Sequence, residues 1–311
     1  MAIKGRRAAL YPAVNFEYAK KIGLDEIEWD KIIDRLGRSP NHFECEIFAT
    51  LWSEEVSNKS TNELLKTIES KQPKEAPIKT VPGSQIGLLP LSNGQFLSLR
   101  VVNNNYQSSI DAFYGSQTAI DEAIEEVSSV GAKPIGILNM LRFGNFELIK
   151  NQELFRKSVD GISSFGNKYG VPVVGDDLYF HKRYNNLPMV NCGVIAVSNN
   201  DNALNVEDVP FKSPIVYVGA RTGRDGLEET LSEKELELGR KPQTLLKMSD
   251  PLLSNRLVNA CSEAIEVGLL RELVVVGKGG LAVAAFDLSK RINKPILLDV
   301  DRIPLLSLIH I

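Results

Sequence analysis

Hydrophobic and polar positions recur at two periods along this chain, and the two periods mark out its elements. In "LDEIEWDKIIDRLGRSP", Leu24, Ile27, Trp29, Ile32, Ile33 and Leu36 return near helical spacing, and Gly37 ends the pattern. Ser39 and Pro40 are expected to open the next helix, with Phe43, Ile47, Phe48, Leu51 and Trp52 on its apolar side. Residues 70–84, "SKQPKEAPIKTVPGS", hold three prolines and little apolar content, which reads as a linker. "QFLSLRVV" has the look of a strand. "QTAIDEAIEEVSSVG" predicts an amphipathic helix with Ile120, Ala123, Ile124, Val127 and Val130 on one stripe. "PIGILNML" is an apolar run of strand length. "FELIKNQELFRKSVDGISSFGNKYG" predicts a long helix that Gly170 is placed to end. "VPVVGDD" and "PMVNCGVIAVS" read as strands. A new unit is expected from near Lys212: strand "SPIVYVGA", helix "LLSNRLVNACSEAIEVG", strand "LVVV", helix "GGLAVAAFDLSKRI" and strand "PILLDVD". Strands and helices alternate throughout, so the expected class is α/β or α+β with two lobes.

Composition narrows the function classes. A chain of 311 residues has room for two domains. Its 36 basic and 39 acidic residues give a net charge of -3, which leaves no electrostatic footprint for nucleic acid or a membrane surface. No apolar run is long enough to span a bilayer, and "MAIKGRRAAL" lacks the apolar core of a signal peptide, so a cytoplasmic location is expected. Cys45, Cys192 and Cys261 are far apart and odd in number, as expected for buried thiols in a reducing compartment. His42, His181 and His310 make no zinc spacing. The closing hexapeptide "LSLIHI" matches the in-frame translation of a transposon-end adapter used in shotgun sequencing. Residues 306–311 are therefore expected to be an artefact, with native sequence ending at about Leu305.

Several stretches could carry chemistry. "GARTGRDG", Gly219 to Gly226, is a glycine-rich loop after an apolar run. It can cradle phosphate or simply turn, and it fits neither a Walker A nor a dinucleotide pattern. Asp176 and Asp177 in "GDDLYF" are paired carboxylates at an expected strand end, open to a metal site or to a solvated turn. Asp121, Glu122, Glu125 and Glu126 flank the apolar stripe of their helix. They are expected as a solvated face, with magnesium binding as the alternative. "LWSEEVSNKS", Leu51 to Ser60, is a charged end to an apolar helix.

In this order the stretches resemble one family, phosphoribosylformylglycinamidine synthase, the large synthetase of purine biosynthesis. The resemblance runs through "LGRSPNHFECEIFATLWSEEVSNKS", "YGSQTAIDEAIEEVSSVGAKPIGILNMLRFGN", "VPVVGDDLYFHKRYNNLPMVNCGVIAV", "VGARTGRDGL", "MSDPLLSNRLVNACSEAIEVGLL" and "LLDVDRIPL". It implies a helical segment over 1–72, a domain like the N-terminal domain of aminoimidazole ribonucleotide synthetase over 73–205, and its C-terminal domain over 206–305. It corresponds to the first half of the family's protein, so the second half of the same chain is an implied partner. A glutaminase subunit or domain is another, and a homo-oligomer would replace the missing half. The implied reaction is ATP-dependent: the amide oxygen of formylglycinamide ribonucleotide is phosphorylated, and ammonia from the glutaminase displaces phosphate. ATP and magnesium are the implied cofactors.

Carried over residue by residue, the resemblance places the family's functional groups on altered residues. The family's Trp-Ser-Glu-His-Cys-Ser-Tyr-Lys falls on Trp52 to Lys59, so the catalytic histidine becomes Glu55 and the nucleotide-contacting tyrosine becomes Asn58. Lys-x-Glu-Ser-His-Asn-His-Pro-Ser falls on Arg100 to Ser108. Arg100 stands in for the nucleotide lysine, Val102 for a magnesium glutamate and Asn104 for the proton-accepting histidine. Asn103, Asn104, Asn105 and Tyr106 form the implied substrate segment. The substrate arginine becomes Glu125 and the glutamine becomes Lys247. The magnesium aspartates fall on Glu126 and Val275. Asparagine cannot take a proton at physiological pH, and valine cannot ligate a cation. Glutamate for arginine exchanges roughly 4 kcal/mol of attraction to an anion, at ~4 Å and an effective dielectric near 20, for comparable repulsion. Two readings follow: a divergent synthase, or a catalytically degenerate paralogue acting as a scaffold or regulatory subunit. Another enzyme of the superfamily, such as a small-molecule kinase, is a third.

Overall fold

The computed structural model describes residues 2–4, 12–70, 78–80, 86–199, 209–220 and 249–299. They fall into two compact units. One takes in the described residues up to 70 together with 220 and 276–299; the other takes in 78–219 and 249–275.

The first unit is mainly helical: α1 (Phe16–Lys21), α2 (Glu26–Leu36), α3 (His42–Leu51), α4 (Glu54–Ser57), α5 (Asn62–Ser70) and, late in the chain, α10 (Gly280–Ile292). Its first and last described segments meet in a parallel pair, β1 (Ala2–Lys4) against β8 (Leu297–Asp299). The helix ends are set by local chemistry. Asp25 and Glu28 form a capping box at the start of α2, and Gly37 closes it in the left-handed region at φ 66°. The next helix departs from expectation. Ser39 and Pro40 do not open it; Asn41 caps α3, accepting from the Glu44 N–H, while the Glu44 carboxylate takes the Asn41 N–H. A reciprocal side-chain cap satisfies two orphan donors, which proline at the first position cannot do. Val14, Ala19, Leu24, Ile32, Cys45 and Ala49 are the buried centre of this unit.

The second unit is a mixed six-stranded sheet in the order β2-β3-β4-β7-β5-β6. Its strands are β2 (Lys79–Thr80), β3 (Gly87–Pro90), β4 (Phe96–Asn103), β5 (Lys133–Phe143), β6 (Val173–Phe180) and β7 (Met189–Ser198). β7 runs antiparallel to both β4 and β5, and β6 is parallel to β5. That parallel pair needs a crossover, supplied by α8 (Ile149–Tyr169), which Gly170 ends as expected, at φ 91°. α6 (Asn105–Ile110) and α7 (Ala112–Ser129) follow β4. α9 (Pro251–Glu266) joins them through Asn255, whose amide donates to the Tyr169 carbonyl at 2.9 Å. The apolar stripe of α7, Ile120, Ala123, Ile124, Val127 and Val130, is fully buried against Ile137, Val190, Cys192 and Val194 of the sheet.

Two expected strands are absent. Residues 213–220 and 272–277 run as irregular chain. An apolar run signals burial, and it becomes a strand only where a neighbouring edge offers hydrogen bonds. Most of the glycine-rich loop, Lys247 and the closing hexapeptide lie outside the described residues. No helix among the described residues is long and apolar enough to cross a membrane.

Candidate functional site

The site expected from the resemblance is built on β4, α6 and α7. β4 alternates strictly: Phe96, Ser98, Arg100 and Val102 face the helices, while Leu97, Leu99, Val101 and Asn103 face away. Arg100 therefore lands against α7. Its Nη2 donates to Glu126 Oε1 at 3.2 Å, and its Nε pairs with Oε2 of the same carboxylate. The two side chains are only 22% and 30% exposed. Val102, two residues on along the same face, is 7% exposed and belongs to the core.

The segment after β4 is held by β7. The Asn104 N–H donates to the Val190 carbonyl at 3.0 Å, and Asn105 Oδ1 accepts from the Val190 N–H at 3.0 Å. Asn104 is 4% exposed, and its Nδ2 reaches Gln107 Oε1 at 3.4 Å. Tyr106 is buried, Asn105 half-buried and Asn103 exposed. A Cβ on Gly115 would lie 2.5 Å from the Ser108 backbone nitrogen, so only glycine lets α7 approach α6 this closely. Asp111 caps α7, accepting from the Phe113 and Tyr114 N–H groups at 3.0 and 3.2 Å.

The acids on α7 are not a solvated face. Asp121 and Glu122 are buried, while Glu125 and Glu126 are half-buried. The Tyr169 phenol is pushed up by burial first, then by the Asp121 and Glu125 charges. The Cys261 thiol is pushed up by burial and by Glu125.

Glu55 lies in α4 of the helical unit, and its side chain lies outside the described residues. The turn around it is organised by Glu54. Glu54 accepts from the Ser60 N–H and hydroxyl, both at 2.8 Å, and from the Thr61 hydroxyl at 2.9 Å. These bonds, led by the one from the Ser60 N–H, hold its carboxyl below the usual range. Asn58 ends α4 in the left-handed region at φ 49°. Val275 is in irregular, half-buried chain.

Among the described residues, those at the positions the resemblance implies for magnesium do not fit it. Glu126 is engaged by Arg100, and Val102 and Val275 offer no ligand. Among the described residues no three His, Cys, Asp or Glu groups converge as a metal site would require. Asp176 and Asp177 are not a metal pair either. They lie on opposite faces of β6, where Asp176 Oδ1 accepts from Asn139 Nδ2 at 2.9 Å and Asp177 pairs with Arg142. The sequence analysis missed the buried polar row Gln107, Ser108, Ser116 and Gln117, whose signal is the polar run around them.

The architecture has a recognised form. Residues 84–198 match the family model of the AIR synthase related protein, N-terminal domain, and residues 16–59 match the formylglycinamide ribonucleotide amidotransferase linker domain. The class is therefore a mixed α/β AIR-synthase-related domain preceded by helices of that linker type. The chain is a homologue of phosphoribosylformylglycinamidine synthase subunit PurL. The Thermus thermophilus subunit is 33% identical over 289 residues, covering 92% of this chain and 39% of that protein. The Synechocystis subunit is 31% identical over 284 residues, covering 91% and 37%. Thermotoga maritima PurL complexed with FGAR superposes with a TM-score of 0.74 at 24% identity, over 91% of this chain and 44% of that one, a likeness of fold. The chain thus spans well under half the length of the curated relatives it matches.

Proposed function

We propose that this chain is part of a phosphoribosylformylglycinamidine synthase of de novo purine biosynthesis, the ATP-dependent amidation of formylglycinamide ribonucleotide. In this reading the present portion supplies the frame and not the turnover. The observation that carries it is the Arg100–Glu126 pair. The position implied for nucleotide binding and the one implied for magnesium neutralise each other, while Val102 fills the core between β4 and α7. The same reading assigns a helical segment near 1–72, a synthetase-like N-terminal domain near 73–205 and a C-terminal domain near 206–305. Glu55, Asn58, Asn103 to Tyr106, Glu125 and Lys247 mark the altered site.

The outer face of the sheet supports a structural role. Leu99 and Val101 are exposed there, beside half-buried Leu138, Met140, Ile195 and Val197. An apolar face of this kind drives association. Its proposed occupant is a domain matching the second half of the longer relatives, with a second copy as its replacement and a glutaminase as the ammonia source. Light scattering on the isolated chain is expected to show dimers or larger species; a monodisperse monomer would count against that assignment. The functional test is amidine formation from formylglycinamide ribonucleotide, ATP, magnesium and ammonia. The expected result is no turnover by this chain. Turnover that Glu55→Gln abolishes would establish the second reading, a working synthase with Glu55 as base.

A further inference from the structure

The turn between β3 and β4 carries the single Asn-Gly step of the sequence, Asn93–Gly94. Such a step favours a tight hairpin turn, and the structure builds one. Leu91 donates its N–H to the Gln95 carbonyl at 2.7 Å, and Gly94 donates to the Leu91 carbonyl at 3.1 Å. Gly94 sits in the left-handed region at φ 82°, which glycine adopts without strain. A Cβ there would meet nothing within 4 Å, so the turn stands clear of its surroundings. Residues Leu91 to Gly94 are all exposed. Asn93 Oδ1 accepts from the Gln95 N–H at 3.1 Å, and Asn93 Nδ2 donates to Gln95 Oε1 at 2.6 Å. Gln95 Nε2 in turn donates to Asn199 Oδ1 at 2.7 Å.

This arrangement suits one reaction of the asparagine amide, attack on its side chain by the next backbone nitrogen. Glycine at 94 leaves that nitrogen unshielded by a side chain. The Gln95 N–H already rests on Asn93 Oδ1, the oxygen on which negative charge develops as the carbonyl is attacked. Exposure to solvent supplies the base and the water. The Gly94 nitrogen, once its proton has gone to solvent, bonds to Asn93 Cγ. The Cγ–Nδ2 bond breaks, and Nδ2 takes a proton from water and leaves as ammonia. Water then opens the cyclic imide. Opening at Cγ gives ordinary aspartate; opening at the main-chain carbonyl gives isoaspartate, with the chain routed through Cγ. The Gly94–Leu91 hydrogen bond has to release first, which ties the rate to local opening of the turn.

We propose that Asn93 is a site of spontaneous isoaspartate formation in the folded protein, and that the product loosens the grip of β3 on β4. Isoaspartate adds a methylene to the main chain inside the turn, so the Leu91 N–H loses its alignment on the Gln95 carbonyl. That bond matters at this end of the strand. β3 meets β4 through the pairs Leu89–Leu97 and Pro90–Phe96, and proline has no N–H to give. The site is independent of the synthase reading. The test incubates the full chain in mildly alkaline buffer, with circular dichroism to establish that it stays folded. Peptide mapping follows the mass gain of amide-to-acid conversion at each asparagine. Labelled methyl transfer from S-adenosylmethionine by an isoaspartyl methyltransferase counts the isoaspartate. Asn93 is expected to convert ahead of the other asparagines, with methyl acceptance rising in step. Asn93→Ser, which keeps a side-chain oxygen for the Gln95 N–H, is expected to lose that methyl acceptance. Hydrogen exchange is expected to show lost protection of the Leu91 amide in the converted protein. No conversion at Asn93, methyl acceptance that Asn93→Ser retains, or unchanged protection of Leu91 in the isoaspartate form would each overturn the proposal.

Discussion

If the Arg100–Glu126 pair is structural, removing both partners must cost less than the sum of removing each alone. Arg100 Nη2 and Glu126 Oε1 are 3.2 Å apart. At that separation and an effective dielectric of about 20, the gross attraction is about 5 kcal/mol. Holding two side chains that are mostly withdrawn from water offsets much of it. A net coupling of about 1–3 kcal/mol remains. The perturbation is a cycle of Arg100→Met, Glu126→Gln and the double variant, measured by urea unfolding followed by circular dichroism. Each single change is expected to destabilise by about 2 kcal/mol, because it leaves one half-buried charge without its partner. The double variant is expected to fall short of their sum by the coupling energy. Saturating magnesium is expected to leave the melting temperature of the parent unchanged, since Glu126 is already engaged. A coupling below about 0.5 kcal/mol, or a magnesium-dependent rise in melting temperature that Glu126→Gln removes, would refute the reasoning. Glu126 would then be available as a ligand.

Other expectations follow from single contacts. Gly161→Ala would gain about 1 kcal/mol of helix propensity, but its Cβ would lie 2.3 Å from the Phe113 carbonyl oxygen. A loss of at least ~3 kcal/mol is expected in denaturant melts, and a neutral or stabilising result would refute the close approach of α7 and α8. The Arg38 hydrogen bond, the largest influence, holds the Glu44 carboxyl below its usual range. Its folded value is depressed, so its contribution is present above about pH 4.3 and lost as pH falls through the folded value. Glu44→Gln is expected to flatten the acid limb of a stability–pH curve. Burial pushes the Cys45 and Cys192 thiols up to about 12. Native protein at mildly alkaline pH is expected to expose only Cys261 to a disulfide reagent; rapid reaction of all three thiols would contradict the packing.

The sequence by itself determined the local elements. Helical spacing located α2, α7, α8, α9 and α10, and glycine marked the ends of α2 and α8, because these signals depend only on neighbours along the chain. The chemistry of Val102 and Asn104 was also legible, since valine cannot ligate a cation and asparagine cannot serve as a base whatever surrounds them. Only the tertiary structure decided what surrounds the residues of that segment. That Arg100 and Glu126 cancel each other depends on β4 turning its even positions toward α7, a contact across 26 positions of chain. Asp121 and Glu122 read as solvent-facing because acidic residues usually are, and the packing of the folded unit around α7 buried them instead. The runs at 213–220 and 272–277 carry a strand's composition without a strand's partner. A strand is completed by hydrogen bonds from another segment, and no periodicity within one segment can specify that neighbour.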